Sequence, residues 1–370
     1  MSVGRAAWAE VDLAAIRHNM MGIKKLLKPE TRFCAVVKAD GYGHGALAVA
    51  GEAVKLGADY LAVAILDEAV SLREGGFTTP TLILGYTPPV QAHMVIERDL
   101  TQTIFNVEQA EALSGAAGAL GRTARVHLKV DTGMGRLGVC PAEAAQFARA
   151  VARLPHLEIE GVYTHFAKAD ATDKTHALQQ VDGFTAALTS IENAGIRIPI
   201  KHCANSAATL DMPEAHLDMV RTGIIMYGLN PSDETSRPFE PKQAMRLKVR
   251  LAMIKDVPAG TTISYGCTFV TAAPSRIATL PIGYADGWTR MLSGKAEISL
   301  GGRRAPVVGR ICMDQCMADI TGLDGTREGD EALLFGGPDI STDEVAAKLG
   351  TINYEIVCMV GKRVPRVYIG

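Results

Sequence analysis

The chain has 370 residues, of which 48% are hydrophobic, 21% charged and 5% aromatic, the balance of a globular protein with a sizeable core. Its 38 basic and 40 acidic residues leave a formal net charge of −2, which excludes the basic field of a nucleic-acid binder and gives no electrostatic pull toward anionic lipid. The apolar runs fall short of the ~20 residues of a membrane helix, MSVGRAAWAEVDL lacks the apolar stretch of a secretory signal, and seven scattered cysteines, mostly within apolar runs, read as reduced thiols of the cytoplasm.

From residue 10 to about 228, short apolar runs alternate with turns and helical patterns. Eight runs predict strands: FCAVVK (33–38), YLAVAIL (60–66), TLILGY (81–86), TQTIFN (101–106), RVHLKV (125–130), IEGVYTHF (159–166), IKHCANS (200–206) and DMVRTGI (218–224). Most are almost continuously apolar, as in parallel strands covered on both faces. Between them, Asp12 can cap a helix with Leu13, Ile16, Met20, Ile23 and Leu27 on one stripe. Asp67 starts a helix that stops at Gly75 and Gly76, and Pro141 suits a first turn. Leu178, Val181, Leu188 and Ile191 keep helical spacing before Gly195. The alternation fits an α/β architecture with an N-terminal (β/α)₈ TIM barrel better than an open doubly wound sheet, although strand order is not written in the sequence.

NPSDETSRPFEPKQ, polar and proline-bearing, marks a boundary. Residues 1–9 are read as a strand joining the C-terminal domain, residues 10–234 as the barrel, and residues 235–370 as a C-terminal, mostly β domain. In that domain only STDEVAAKLG (341–350) reads as helix, with Ser341 and Glu344 as a capping box.

Side chains at the C-terminal ends of barrel strands converge on one mouth. Lys38 stands there, as do Lys129, Asp131 and Arg136, then His165, His202, Asn205, Ser206 and Arg221. A lysine closing an apolar strand is desolvated, which favours the neutral amine that condenses with aldehydes; the same pattern suits a lysine whose stem packs while its ammonium reaches water. The start of the helix at Ser206 and the turn Arg221-Thr222-Gly223-Ile224 suit a phosphate, or an ordinary cap and a turn glycine. Gly133-Met134-Gly135-Arg136-Leu137-Gly138 matches the dinucleotide fingerprint formally. Its candidate acids, Glu158 and Glu160, open the next apolar run where the ribose-binding acid should close it. The segment is therefore read as a loop presenting Arg136 to a carboxylate. Cys312 and Cys316 lack a second pair at zinc spacing, so no metal site is expected. Tyr265, in TTISYGCTF, is either a base with a partner that lowers its pKa or a half-exposed strand tyrosine.

AVVKADGYGHG, HLKVDTGMGRLG, THFAKAD, HCANSAA, MVRTGIIMYG, SYGCTF, LPIGYADG, GRICMDQ and NYEIVC follow one another in an order and spacing similar to bacterial alanine racemases. The chain resembles that family over essentially its whole length. The resemblance implies pyridoxal 5′-phosphate (PLP) as cofactor, a TIM-barrel N-terminal domain, and two-base interconversion of L- and D-alanine supplying D-alanine for peptidoglycan. Lys38 resembles the Schiff-base lysine, and Tyr265 the opposing base contributed by the other subunit of a homodimer, as is the methionine matched by Met313. Tyr42, Ser206, Gly223, Ile224 and Tyr354 match phosphate contacts, and Asn205 joins them as a cofactor-binding candidate. Arg221 matches the residue on the pyridine nitrogen, His202 its support and His165 the neighbour of the ring. Arg136 corresponds to the substrate-carboxylate region, Lys129 to a lysine often carbamylated, and Tyr284 to the access corridor. A PLP-dependent amino-acid decarboxylase of the same barrel class is the alternative, since such enzymes share the Lys38 and phosphate regions but not SYGCTF. No nucleic acid or membrane partner is expected.

Overall fold

A computed structural model describes residues 4–370. The chain divides into two compact units: Arg17–Gly41 with Ala46–Pro241, and a second comprising the N-terminal segment up to Ile16, Tyr42–Gly45 and Lys242–Gly370. The boundary expected at 234/235 lies at 241/242, because the polar segment after residue 230 is tied to the first unit. There Ser232 Oγ donates to the Asp170 carbonyl, and Ser236 to Asp211.

β1 (Ala7–Asp12) belongs to the second unit. The first unit holds β2 (Arg32–Val36), β3 (Tyr60–Val63), β4 (Thr81–Ile83), β5 (Thr101–Ile104), β6 (Ala124–Lys129), β7 (Leu157–Tyr163), β8 (Ile200–His202) and β9 (Met219–Thr222). They pair in parallel in the order β8-β7-β6-β5-β4-β3-β2-β9. Backbone bonds from Asp218 N to the Lys201 carbonyl and from Arg221 N to the Ala204 carbonyl, 3.1 and 3.0 Å, bring β9 beside β8. The eight-stranded parallel sheet is therefore a nearly closed barrel, and the open-sheet alternative falls.

All eight expected strands form; seven are shorter than their apolar runs and β6 is the same length shifted back by one residue. Every strand ends before its run does, because the last residues of the run already turn into the loops at the mouth. Asp12 Oδ1 does accept from Ala15 N, capping the helix Leu13–Lys24. Asp67 instead lies inside the first turn of Leu66–Glu74, after an Ile65 N-cap. Leu178 is largely exposed on Thr175–Asn193, whose buried face runs through Ala177, Gln180, Phe184, Ala187 and Ile191. Of the cysteines, Cys34, Cys203 and Cys316 are buried, Cys312 is intermediate, and Cys140, Cys267 and Cys358 are exposed.

The second unit adds β10 (Met245–Arg250), β11 (Met253–Val257), the short hairpin β12 (Thr262–Ile263) and β13 (Phe269–Val270), and then β14 (Ser275–Leu280). β15 (Glu297–Leu300), β16 (Arg303–Val308), β17 (Cys316–Asp319), β18 (Glu331–Phe335) and β19 (Arg366–Ile369) follow. Apart from the hairpin they form one sheet, β11-β14-β17-β16-β15-β18-β10-β1-β19, with β1 antiparallel to β10 and parallel to β19. Ser341 Oγ accepts from Glu344 N, capping Thr342–Leu349. The Glu344 carboxylate bonds Arg304 and Lys348 and does not return to the cap, so half of the expected box forms. A second helix, Asn353–Met359, was not expected; NYEIVC is too short to carry a helical period. Among the described residues no helix is long and apolar enough to cross a membrane.

Candidate active site

Lys38 follows β2 and opens a turn that winds the wrong way for L-residues. Ala39, Asp40, Gly41 and Tyr42 have φ of 52°, 53°, 61° and 51°. Glycine takes this region freely, whereas each non-glycine residue pays roughly 1–2 kcal/mol. The surroundings hold the first part of the turn in place. Glu68 accepts from Ala39 N at 2.6 Å and from Ala64 N at 2.8 Å, Asp40 Oδ1 accepts from Ala46 N, and Gly41 N donates to the Val37 carbonyl. Strain maintained this way concentrates at functional positions, and here it fixes the backbone that carries Lys38.

Across the mouth, Asn205 caps the helix Ser206–Asp211 by accepting from Ala208 N, the role the sequence suggested for Ser206. Ser206 Oγ is thereby left to accept from Gly223 N at 2.9 Å. The first turn of the 3₁₀ helix Ile224–Tyr227 begins at that point, so helix-start N–H groups and a hydroxyl lie together on one small face.

Beneath it lies Arg221, 4% exposed. Its Nη1 donates to His202 Nδ1 at 2.7 Å; its Nη2 donates to the Thr164 carbonyl at 2.9 Å and approaches His165 Nδ1 and the Cys203 carbonyl at 3.2 Å. Its Nε has no acceptor among the described residues. Tyr163 stacks on His202 with centroids 4.7 Å apart, and the Arg221 guanidinium lies 4.9 Å from the Tyr163 centroid. Burial, and then the Arg221 charge, hold both His165 and His202 well below the usual imidazole range. Both rings are therefore neutral at pH 7.

Lys129 closes β6, buried, with Nζ donating to the Val130 carbonyl at 2.8 Å. Burial first, and Arg221 next, push its amine down to about 7. The loop that follows is organised by Asp131, whose Oδ1 accepts from the N–H groups of Gly133, Met134 and Gly135 and whose Oδ2 accepts from Arg136 N. These bonds hold its carboxyl below the usual range despite partial burial. The Gly133–Gly138 segment thus wraps a carboxylate of its own chain and presents Arg136 on an exposed loop, as the loop reading expected.

In the second unit, Tyr265 is at the tip of the β12–β13 hairpin and 67% exposed. Ser264 precedes it at φ 67°, with Oγ donating to the Arg310 carbonyl at 2.6 Å. The Gly283–Ala285 segment bonds the Cys312 and Met313 carbonyls, so Tyr284 and Met313, 41% and 53% exposed, stand on neighbouring segments. Tyr42 and Tyr354 also meet in this unit, their ring centroids 6.2 Å apart.

The first unit therefore gathers Lys129, His165, His202, Ser206, Arg221 and Gly223 through direct contacts or a shared network. Sequence reading missed Glu68, Tyr163 and His127, and set Glu160 aside. His127 and Lys129 alternate on one face of β6, a two-residue period that was available as a signal.

Comparisons with known proteins give one answer. Residues 11–231 match the family described as "Alanine racemase, N-terminal domain" and residues 244–368 the "Alanine racemase, C-terminal domain". The chain is 60% identical over 369 residues to an alanine racemase of Desulfovibrio desulfuricans, covering 100% of both, and 49% identical to one of Desulforamulus reducens, covering 98% and 99%. A solved structure of alanine racemase from Clostridium difficile 630 superposes with a TM-score of 0.97 at 42% identity, over 100% of this chain and 97% of that one. One from Bacillus anthracis with bound L-Ala-P gives 0.95 at 40% identity, over 100% and 96%.

Proposed function

The chain belongs to the alanine racemase family and is an isomerase that interconverts L- and D-alanine, and from that premise we propose that PLP is its cofactor, with Lys38 and Tyr265 of the partner subunit as the two bases. The observation that carries the cofactor reading is Arg221. The hydrogen bonds of this buried guanidinium within the described residues run through Nη1 and Nη2, which leaves Nε for a partner from outside the chain. An aromatic nitrogen with a lone pair fits that donor, and the Ser206–Gly223–Ile224 face fits a phosphate.

When bound, the cofactor supplies an aldehyde that condenses with amines and a ring that withdraws electrons from the substrate Cα. The rest falls to the chain's own residues. Lys38 Nζ holds the aldehyde between turnovers and takes or returns the Cα proton on one side. Arg221 would donate to the ring nitrogen and, as a cation, would oppose protonation there. Because Arg221 occupies His165 Nδ1, the neutral imidazole carries its proton on Nε2. That N–H is a donor suited to the phenol oxygen of Tyr265 of the partner subunit. Ser206, Gly223 and Ile224, with Asn205 as the cap, hold the phosphate; the resemblance adds Tyr42 and Tyr354 as phosphate contacts. Arg136 and Met313 are assigned to the substrate. The homodimer, the cytoplasmic location and the supply of D-alanine to the cell wall belong to the same proposal. The decarboxylase alternative has no observation in its favour.

Purified protein should show visible absorbance that borohydride bleaches, with the reduced cofactor mapped to the Lys38 peptide. A label on any other lysine, or none, contradicts the assignment.

Lys129 is proposed as a carbamate: its neutral amine adds carbon dioxide to form an N–C bond and releases one proton. With the pKa brought down to about 7, roughly half of the amines are neutral at pH 7 and about nine tenths at pH 8. The anion would offset the Arg221 and Arg136 charges that depress the amine. Carbon-13 bicarbonate should label Lys129 at pH 8 and much less at pH 6, and Lys129→Met should remain unlabelled. Equal labelling of the variant would overturn the assignment.

A further inference from the structure

Arg221 has no carboxylate within ion-pair distance among the described residues, although a buried guanidinium without a counter-charge is costly. Its hydrogen bonds lead to one. His202 Nε2 is 2.9 Å from His127 Nδ1, and His127 Nε2 is 3.2 Å from Glu160 Oε2. Both rings are fully buried. The chain passes from β9 to β8, β6 and β7, leading from the mouth towards the layer where Tyr60 and Thr101 open β3 and β5. Thr101 Oγ1 donates to Glu160 Oε2 at 3.2 Å.

The directions of these bonds are fixed by their ends. Arginine only donates, so His202 Nδ1 accepts; a neutral His202 then carries its proton on Nε2 and donates to His127 Nδ1. His127 in turn carries its proton on Nε2 and donates to a carboxylate that only accepts. Neutrality of both rings agrees with burial, which holds His127 and His202 below the ordinary imidazole range, and the His127 bond holds Glu160 low. The backbone makes room for the arrangement: a Cβ on Gly161 would lie 2.6 Å from His127 Cε1 and Nδ1.

We propose that Glu160 is the remote counter-ion of Arg221, acting through His127 and His202 as a one-directional relay, and is thereby a positioning residue for the guanidinium Nε. This rests on the racemase reading for its catalytic consequence, but not for its structural one. Nitrogen-15 histidine spectra of the holoenzyme test the structure directly. Both His127 and His202 should be neutral with the proton on Nε2; either ring as imidazolium, or protonated on Nδ1, overturns the relay even in an active enzyme. If the protein proved not to racemise alanine, the same spectra would still decide the relay.

Glu160→Gln keeps the shape and removes the charge. It should lower kcat about 10–100-fold, the range seen when outer supports of a functional ligand are removed, with KM little changed and the cofactor's visible absorbance shifted. Gly161→Ala, which leaves every polar group present but pushes the His127 ring, should act in the same direction. Unchanged kcat and absorbance in both variants would reduce the chain to packing and sink the proposal.

Discussion

Lys38→Ala is expected to lower racemisation at least ~10³-fold and to abolish the borohydride-trapped adduct. Two losses combine: the amine that anchors the cofactor aldehyde, and the proton carrier for one side of the substrate Cα. The fold should survive, because Lys38 is only half-buried and Glu68 and Asp40 hold the left-handed turn after it. Small exogenous amines should restore part of the activity, with the better proton acceptors restoring more. Melting temperature and circular dichroism separate this outcome from unfolding. A variant with near-normal turnover would remove Lys38 from the chemistry.

The second large effect concerns Tyr265. Inversion moves a proton off one side of a carbon and onto the other, so a single base returns it to the side it left. Tyr265→Phe removes only the phenol oxygen and should cut racemisation by roughly 10²–10⁴, the usual worth of a general acid–base group. Exchange of the Cα proton with solvent should behave differently. The enantiomer whose Cα–H faces Lys38 should still exchange in deuterium oxide, while the other loses exchange far more severely. Equal, mild losses from both would contradict the two-base assignment. The exposure of Tyr265, 67% in the isolated chain, suits a side chain whose partner lies on another molecule.

The eight barrel strands were legible because strands buried on both faces are nearly continuous in apolar residues, and such runs admit few other uses. Their C-terminal ends were less so. FCAVVK predicts strand through Lys38, whereas β2 stops at Val36 because the chain must reach its left-handed turn; only the glycines at 41, 43 and 45 hinted at that turn. Ser206 and Asn205 look equally good as caps, and the choice between them is made by a long-range bond from Gly223 N. Tyr354 sits on a helix too short to announce itself.

The polar interior was the hardest part to see. His127, Tyr163 and Glu160 each look like an isolated polar residue in an apolar strand, and one residue at a time the ordinary reading wins. Their meaning comes from cross-strand register, with His127 opposite Gly161, Lys129 opposite Tyr163, and Tyr163 opposite His202. That register depends on an irregularity in the β6–β7 pairing between Val126 and His127, which no local pattern encodes. Conversely, Glu160 drew notice for a dinucleotide role that it does not fill.

Mixing the two crippled proteins tests most directly whether each site draws its bases from two chains. Lys38→Ala and Tyr265→Phe subunits, each almost inactive alone, are unfolded together and refolded. Random pairing of equal amounts gives heterodimers as half of the population, each with one site that has both groups and one that has neither. About a quarter of wild-type activity should return. If both groups came from the same chain, no pairing could unite them and the mixture would remain as inactive as its components.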